Sequence, residues 1–201
     1  ETLEGVVKHN GPIDDHDLPT LKAFNAAWNL EIHTFAGPAA QIASIADDIA
    51  YNTHDVDDGY RSGLLSIDDV QSLPLFGASL ATLRATYPDV APDRLMHEAV
   101  REVIGLMVTD LLKNVQQNLR DLNPQSAASI RNASKSIVGF SSSMAENLAS
   151  LRTFLFAKMY HHTKVDQACD RARNIVKELF DIYMGDPKTL PSAWVDDIHR
   201  A

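Results

Sequence analysis

Residues 92–123, PDRLMHEAVREVIGLMVTDLLKNVQQNLRDLN, decide the fold. Leu95, Met96, Ala99, Val100, Val103, Ile104, Met107, Val108, Leu111, Leu112, Val115 and Leu119 recur at helical period and make a wide apolar stripe. Pro92-Asp93 opens the run and Asn123-Pro124 closes it, because a residue before proline is pushed out of the helical region. The pattern predicts a central helix of about 30 residues.

Working outward, the neighbours also read as helices. Downstream, residues 124–136 are polar and predict a loop or frayed turn. Helices follow at about 143–160 and 163–184, the second stopped by Gly185-Asp186-Pro187, and a short last helix contains Trp194. Upstream, residues 74–87 predict a helix. Ser66 caps a short one beginning Ile67-Asp68-Asp69. Further back lie a helical stretch from about Pro19 to Leu30 and a short N-terminal helix closed by Asn10-Gly11 and Pro12. No run alternates with the period of two that a half-buried strand requires. The fold is all-α, a single helical domain over residues 1–201.

Residues 46–59, ADDIAYNTHDVDDG, carry the candidate chemistry. They sit in a run from Lys22 to Arg61 that contains no other Lys or Arg but holds Asp47, Asp48, Asp55, Asp57 and Asp58. On a helix, Ile42, Ile45, Ala46, Ile49, Thr53 and Val56 make an apolar face, with Asp47, Asp48, Tyr51 and Asp55 opposite. Ala40, Ala43, Ser44 and Ala50 fill the remaining places, where an exposed helix commonly carries paired charges. Small residues admit a neighbouring helix, and covered carboxylates need a cation, hydrogen bonds or a proton. A metal ion or a distant arginine is the expected partner. The competing reading is an acidic helix that is simply solvated.

Composition sets bounds. The net charge of −9 comes entirely from residues 1–60, which hold 11 of the 27 acidic and 2 of the 18 basic residues. A broad basic surface for nucleic acid is therefore not expected. No apolar run has the length of a membrane span, and no basic-then-apolar leader opens the chain. The single cysteine, Cys169, rules out an internal disulfide framework and suits a reducing, cytoplasmic location. Phosphate-binding glycine loops and nucleophile elbows are absent. An EF-hand counted from Asp55 places Gly59 one position early and Ser66 where a bidentate glutamate belongs. His16-Asp17 and His54-Asp55 are His-Asp dipeptides without the flanking ligands a metal dyad needs. Arg94, Arg101 and the 161–164 run His-His-Thr-Lys are the basic candidates for phosphate.

Four blocks, ETLEGVVKHNGP, IADDIAYNTHDVDDGYRSGL, HEAVREVIGLMVTDLL and LRTFLFAKMYHH, resemble successive blocks of the bacterial deoxyguanosine triphosphate triphosphohydrolase-like proteins, a branch of the HD superfamily. The resemblance covers essentially the whole chain. It implies an HD-domain-like helical bundle that hydrolyses deoxynucleoside triphosphates to the deoxynucleoside and tripolyphosphate. It also implies a divalent cation, Mg²⁺ or Mn²⁺, and a homo-oligomer. In the family's pattern Asp47 is the last metal ligand, Tyr51 and Asp55 line the deoxyribose, Asp48 adjoins the site and Arg94 is a basic substrate contact. The family's first His and its His-Asp pair lie upstream of ETLEG, so the resemblance makes this polypeptide a C-terminal part, inactive by itself without that segment. Ala39-Ala40-Gln41 stands where many members have Glu-Ala-Gln, and His161 where arginine is common. The alternative function is a non-catalytic interaction or regulatory module with an acidic surface helix.

Overall fold

The computed structural model describes residues 2–14, 18–192 and 194. Through them run α1 (Thr2–Val7), α2 (Pro19–Ala27), α3 (Pro38–Arg61), α4 (Ile67–Gln71), α5 (Pro74–Thr86), α6 (Pro92–Leu122), α7 (Ala127–Arg131), α8 (Ser142–Leu155) and α9 (Thr163–Gly185). A π-helical turn, Phe156–Tyr160, continues α8, and a 3-10 turn, Pro187–Thr189, follows α9. There is no strand among the described residues, so the all-α reading holds. Most of the expected last helix around Trp194 lies outside them, as does His16-Asp17.

The chain divides into two compact units, Glu1–Thr153 and Phe154–Ala201. In the first, α6 is the central helix. It packs against α5 and α3 and buries Leu95, Met96, Ala99, Val103 and Met107. Phe76 and Leu80 of α5, Val56 of α3 and Leu151 of α8 are also fully enclosed. The helix ends on Asn123 at φ +43, a left-handed cap. Its stripe is narrower than the sequence suggests, since Leu112 is 57 % exposed. A row of polar side chains takes up another side of the helix. Asp110 accepts from Ser141 N (2.9 Å) and Oγ (2.6 Å), Asn114 donates to Gly139 O (2.8 Å) and Asn118 to Ile137 O (3.0 Å). Residues spaced four apart on one helix thus fasten the segment 137–141 along α6.

Local chemistry sets the other ends. Ser66 and Asp69 form a capping box at α4. Gly77 is required where α5 meets α4, because a Cβ there would stand 2.4 Å from Gln71 O. Gly5 lets α1 approach α3, with Ala40 Cβ 2.9 Å from where its own Cβ would be. The second unit is chiefly α9, on which Val176 and Phe180 are exposed. Trp194, from its sequence a packing residue, is also exposed.

Candidate functional site

Helix α3 begins on Pro38, whose fixed φ suits a first turn, and runs through the acidic segment. Its buried side keeps Ile49, Thr53 and Val56 of the expected face but is turned toward Gln41 and Asn52. Ile42 is 51 % exposed and Ala46 is exposed, while Gln41, Ile49, Asn52, Thr53, Val56 and Gly59 are buried. Polar residues tolerate that side because each finds partners. Gln41 donates to Ala36 O (2.7 Å) and accepts from Ser136 Oγ (2.7 Å) and the Ile137 and Val138 N–H groups (3.1 and 3.3 Å). Asn52 donates to Asp48 O (2.6 Å), and Thr53 to Ile49 O (2.7 Å). A hydrophobicity pattern reads glutamine and asparagine as solvent-facing, so it rotates the helix the wrong way.

The acidic face then separates into two kinds of carboxylate. Asp48 meets Arg152 of α8, Nη2 to Oδ1 at 3.0 Å, and Arg152 Nε reaches Asn52 Oδ1 at 3.3 Å. This is the distant arginine the sequence leaves open. Its identity was hidden because α8 is a hundred residues from Asn52, and only the fold brings them together. Asp47, one residue earlier, is exposed and pairs with nothing among the described residues. Tyr51 is 55 % exposed and Asp55 is half-buried. Asp47, Tyr51 and Asp55 lie within about 80° of one another around the helix.

Arg152 and Asp48 are both about half exposed, 48 % and 45 % at the side chain, so their attraction is worth less than about 1 kcal/mol. Asn52 is wholly buried, and leaving its carbonyl oxygen without a donor costs about 1–3 kcal/mol. Arg152→Met should therefore destabilise by about 1–2 kcal/mol and Asp48→Ala by less than half as much. Urea unfolding of both variants decides which contact dominates, and equal losses would give the weight to the ion pair.

The loop after α1 faces the N-terminal half of α3. Lys8 has no side-chain exposure and sits 2.8 Å from Glu4. Its ammonium also donates to Glu31 O (3.3 Å), Thr34 Oγ1 (3.0 Å) and Phe35 O (3.1 Å). Arg131 of α7 grips the same Glu4 through both oxygens, at 2.8 and 3.0 Å. That guanidinium first, and Lys8 after it, hold the Glu4 carboxyl down at about 2 against the opposing effect of burial. Gly11, at φ +105, turns the loop back. Between loop and helix lies a cavity of about 300 Å³ walled by Lys8, His9, Asn10, Ser44 and Asp48.

Arg94 is elsewhere. It lines a cleft of about 1080 Å³ between α5 and α6 with Tyr87, Glu98, Arg101 and Glu102, and no residue of α3 borders that cleft. There Arg101 bonds Glu98 at 2.8 Å and holds its carboxyl below the usual range. The structure thus brings Asp47, Asp48, Tyr51 and Asp55 onto one helix and sets Arg94 in a separate groove. Tyr60, at the end of α3, donates to Asp93 Oδ1 beside Arg94 at 2.9 Å, which raises the phenol above its ordinary value.

Asp47 can serve as one oxygen ligand of a cation. Among the described residues, no group of three or more His, Cys, Asp or Glu could hold a metal ion. These side chains therefore do not compose a metal centre, and further ligands would have to come from outside them. No described helix is long and apolar enough to cross a membrane.

Residues 138–201 match the phosphohydrolase-associated domain family. The chain is 44 % identical over 200 residues to a deoxyguanosinetriphosphate triphosphohydrolase-like protein of Parvibaculum lavamentivorans, covering 96 % of this chain and 50 % of that protein. It is 43 % identical to one of Caulobacter sp. strain K31, with coverage of 96 % and 50 %. To one of Cereibacter sphaeroides it is 40 % identical, with coverage of 100 % and 53 %. The chain spans about half the length of the curated relatives it matches. The similarity read from the four sequence blocks is thus present from end to end of this chain.

Proposed function

We propose that this chain, a homologue across its whole length of deoxyguanosinetriphosphate triphosphohydrolase-like proteins, supplies the substrate-facing helix of a deoxynucleoside triphosphate triphosphohydrolase. One observation carries the proposal. Of two adjacent carboxylates, Asp48 is tied to Arg152, while Asp47 is exposed and without a partner among the described residues. An exposed carboxylate without a side-chain partner is open to a cation or a substrate, whereas its neighbour is already engaged. The reaction is attack of water on the α-phosphorus, with cleavage of its bond to the 5′ oxygen and protonation of that oxygen. The products are the deoxynucleoside and intact tripolyphosphate. A divalent cation at Asp47, Mg²⁺ or Mn²⁺, would polarise the phosphoryl group.

The chain's own side chains fix the sugar. Asp55 lies about 12 Å along α3 from Asp47, with Tyr51 between them. A nucleotide whose α-phosphate is at Asp47 lays its sugar along this face. Tyr51 then crowds a 2′ hydroxyl and Asp55 accepts from the 3′ hydroxyl. A dideoxynucleotide lacks that donor, and loss of a hydrogen bond to a charged acceptor costs about 1.5–3 kcal/mol.

Tested in a polypeptide of the relatives' full length, the enzyme should release tripolyphosphate from dNTPs. It should also disfavour 2′,3′-dideoxynucleotides by about ten- to a hundredfold in kcat/KM. Asp55→Ala should erase most of that preference, and an unchanged ratio removes Asp55 from the sugar site. Release of pyrophosphate or orthophosphate instead would overturn the reaction. A non-catalytic module with an acidic surface helix, the competing reading, gives no turnover in any such polypeptide.

A further inference from the structure

We infer that the apolar face of α9 is a docking surface for the other half of a polypeptide of the relatives' full length. The inference is independent of the proposed reaction and concerns how the protein is assembled. Helix α9, Thr163–Gly185, is 23 residues long, about 35 Å at 1.5 Å per residue. At about 100° per residue, Val165, Ala172, Ile175, Val176, Leu179 and Phe180 fall on one arc of about 140°. Asp166, Asp170, Arg171, Arg173, Lys177, Glu178 and Asp181 fill the opposite side. A helix divided in this way lays one side on a core and keeps the other in water. Yet none of the described residues of α9 is buried. Ile175 is 49 % exposed, Val176 65 % and Phe180 62 %.

The width of the arc identifies the occupant. A coiled coil with a second copy of α9 needs only a narrow seam of two positions per heptad, here Val165, Ala168, Ala172, Ile175, Leu179 and Ile182. Phe180 lies about 110° from the centre of that seam, so a second helix alone would leave its ring in water. An apolar arc wider than about 100° fits a core assembled from several elements. The polar side argues against a lipid surface. It sets Lys164, Arg171, Arg173 and Lys177 against Asp166, Asp170, Glu178 and Asp181, whereas an interfacial helix carries an excess of Lys and Arg that draws it to anionic lipid. A folded protein surface is the remaining occupant. The chain spans about half the length of its relatives, so a polypeptide of their length carries as many residues again from which to build that surface.

Cys169, an exposed thiol, is a built-in reporter, since it lies about 20° around the helix from Val176 and within the apolar arc. Its alkylation by iodoacetamide should be at least about tenfold slower in a polypeptide of the relatives' full length than in the 201-residue chain. Phe180→Asp should leave the melting temperature of the 201-residue chain within about 2 °C, because the ring there faces water. In the full-length polypeptide the same change buries a charge and should lower it by about 5 °C or more. If that variant does not fold at full length, the alkylation rates of the two unaltered proteins decide. Equal alkylation, or an equal loss of melting temperature in both lengths, would overturn the inference. So would a dimer of the 201-residue chain that sedimentation detects and Phe180→Asp dissolves, which assigns the face to a second copy. Binding to phosphatidylcholine–phosphatidylserine vesicles that the same variant abolishes would overturn it in favour of lipid. None of these measurements reads catalysis, so failure of the proposed reaction leaves them all decisive.

Discussion

Asp47→Asn, in a polypeptide of the relatives' full length, should lower dNTP hydrolysis by about 10³-fold while leaving the fold intact. Asp47 is exposed on α3 and holds no other side chain among the described residues, so an isosteric amide disturbs no packing. On the proposed reading, what it removes is one anionic oxygen that would hold the cation acting on the phosphoryl group. Removal of one electrostatic group from a catalytic site typically costs 10²–10³ in rate, about 3–4 kcal/mol of transition-state stabilisation. Asp48→Asn should cost far less, because Arg152 already takes that carboxylate. Steady-state turnover at matched metal concentration, with thermal melts of both variants, is the check. Full turnover in Asp47→Asn, or an equal loss in Asp48→Asn, would refute the distinction drawn between the two carboxylates.

Glu4→Ala should destabilise the protein by about 3–5 kcal/mol, roughly 10 °C in melting temperature for a chain of this size. Glu4 is a carboxylate that two cations share, Lys8 with no side-chain exposure and Arg131 with 20 %. Without it, a buried ammonium keeps only neutral oxygens. The same group gives the protein an acid limb. Glu4 titrates at about 2 in the folded chain against an ordinary 4.5. A lowered folded value stabilises above the unfolded one. The contribution, about 3 kcal/mol, is complete above pH 4.5 and disappears as the pH falls toward 2. Urea midpoints at pH 7 and pH 3 should converge for wild type and Glu4→Ala. Parallel losses at both pH values would mean that the carboxylate carries no such linkage.

How much of this was legible in the sequence depended on distance along the chain. The long helix, its proline start and its Asn123 stop, the Ser66 cap and the acidic helix were all written in local periodicity and end signals. The roles proposed for Asp47, Asp48, Tyr51 and Asp55 rest on family resemblance and one helical register. Hydrophobicity found Ile49 and Val56 of the buried side of α3 but not Gln41 and Asn52, whose partners lie at residues 136–138 and 152. For the same reason Arg152 looked like any helix-surface arginine. Arg94 lines the groove between α5 and α6, which no residue of α3 borders, a placement that the sequence of α6 by itself does not disclose. Side chains that matter through long-range hydrogen bonds leave no periodic trace.

The ties that fasten Glu4 to Arg131 and Gln41 to Val138 span 127 and 97 residues, and this bears on how the protein is made. Chains emerge from the ribosome at about 5–20 residues per second, so α1 waits roughly 6 to 25 s for the residue that anchors it. During that interval Lys8 has its carboxylate but not the second cation that completes the cluster, and the buried amide of Gln41 has no acceptor-seeking partners at all. The early helices therefore cannot settle one by one as they are synthesised. Their docking is delayed until α7 and the segment after it arrive, and loop closure over such separations slows folding. Residues 4 and 41 thus remain without these long-range partners until residues 131–138 have been made.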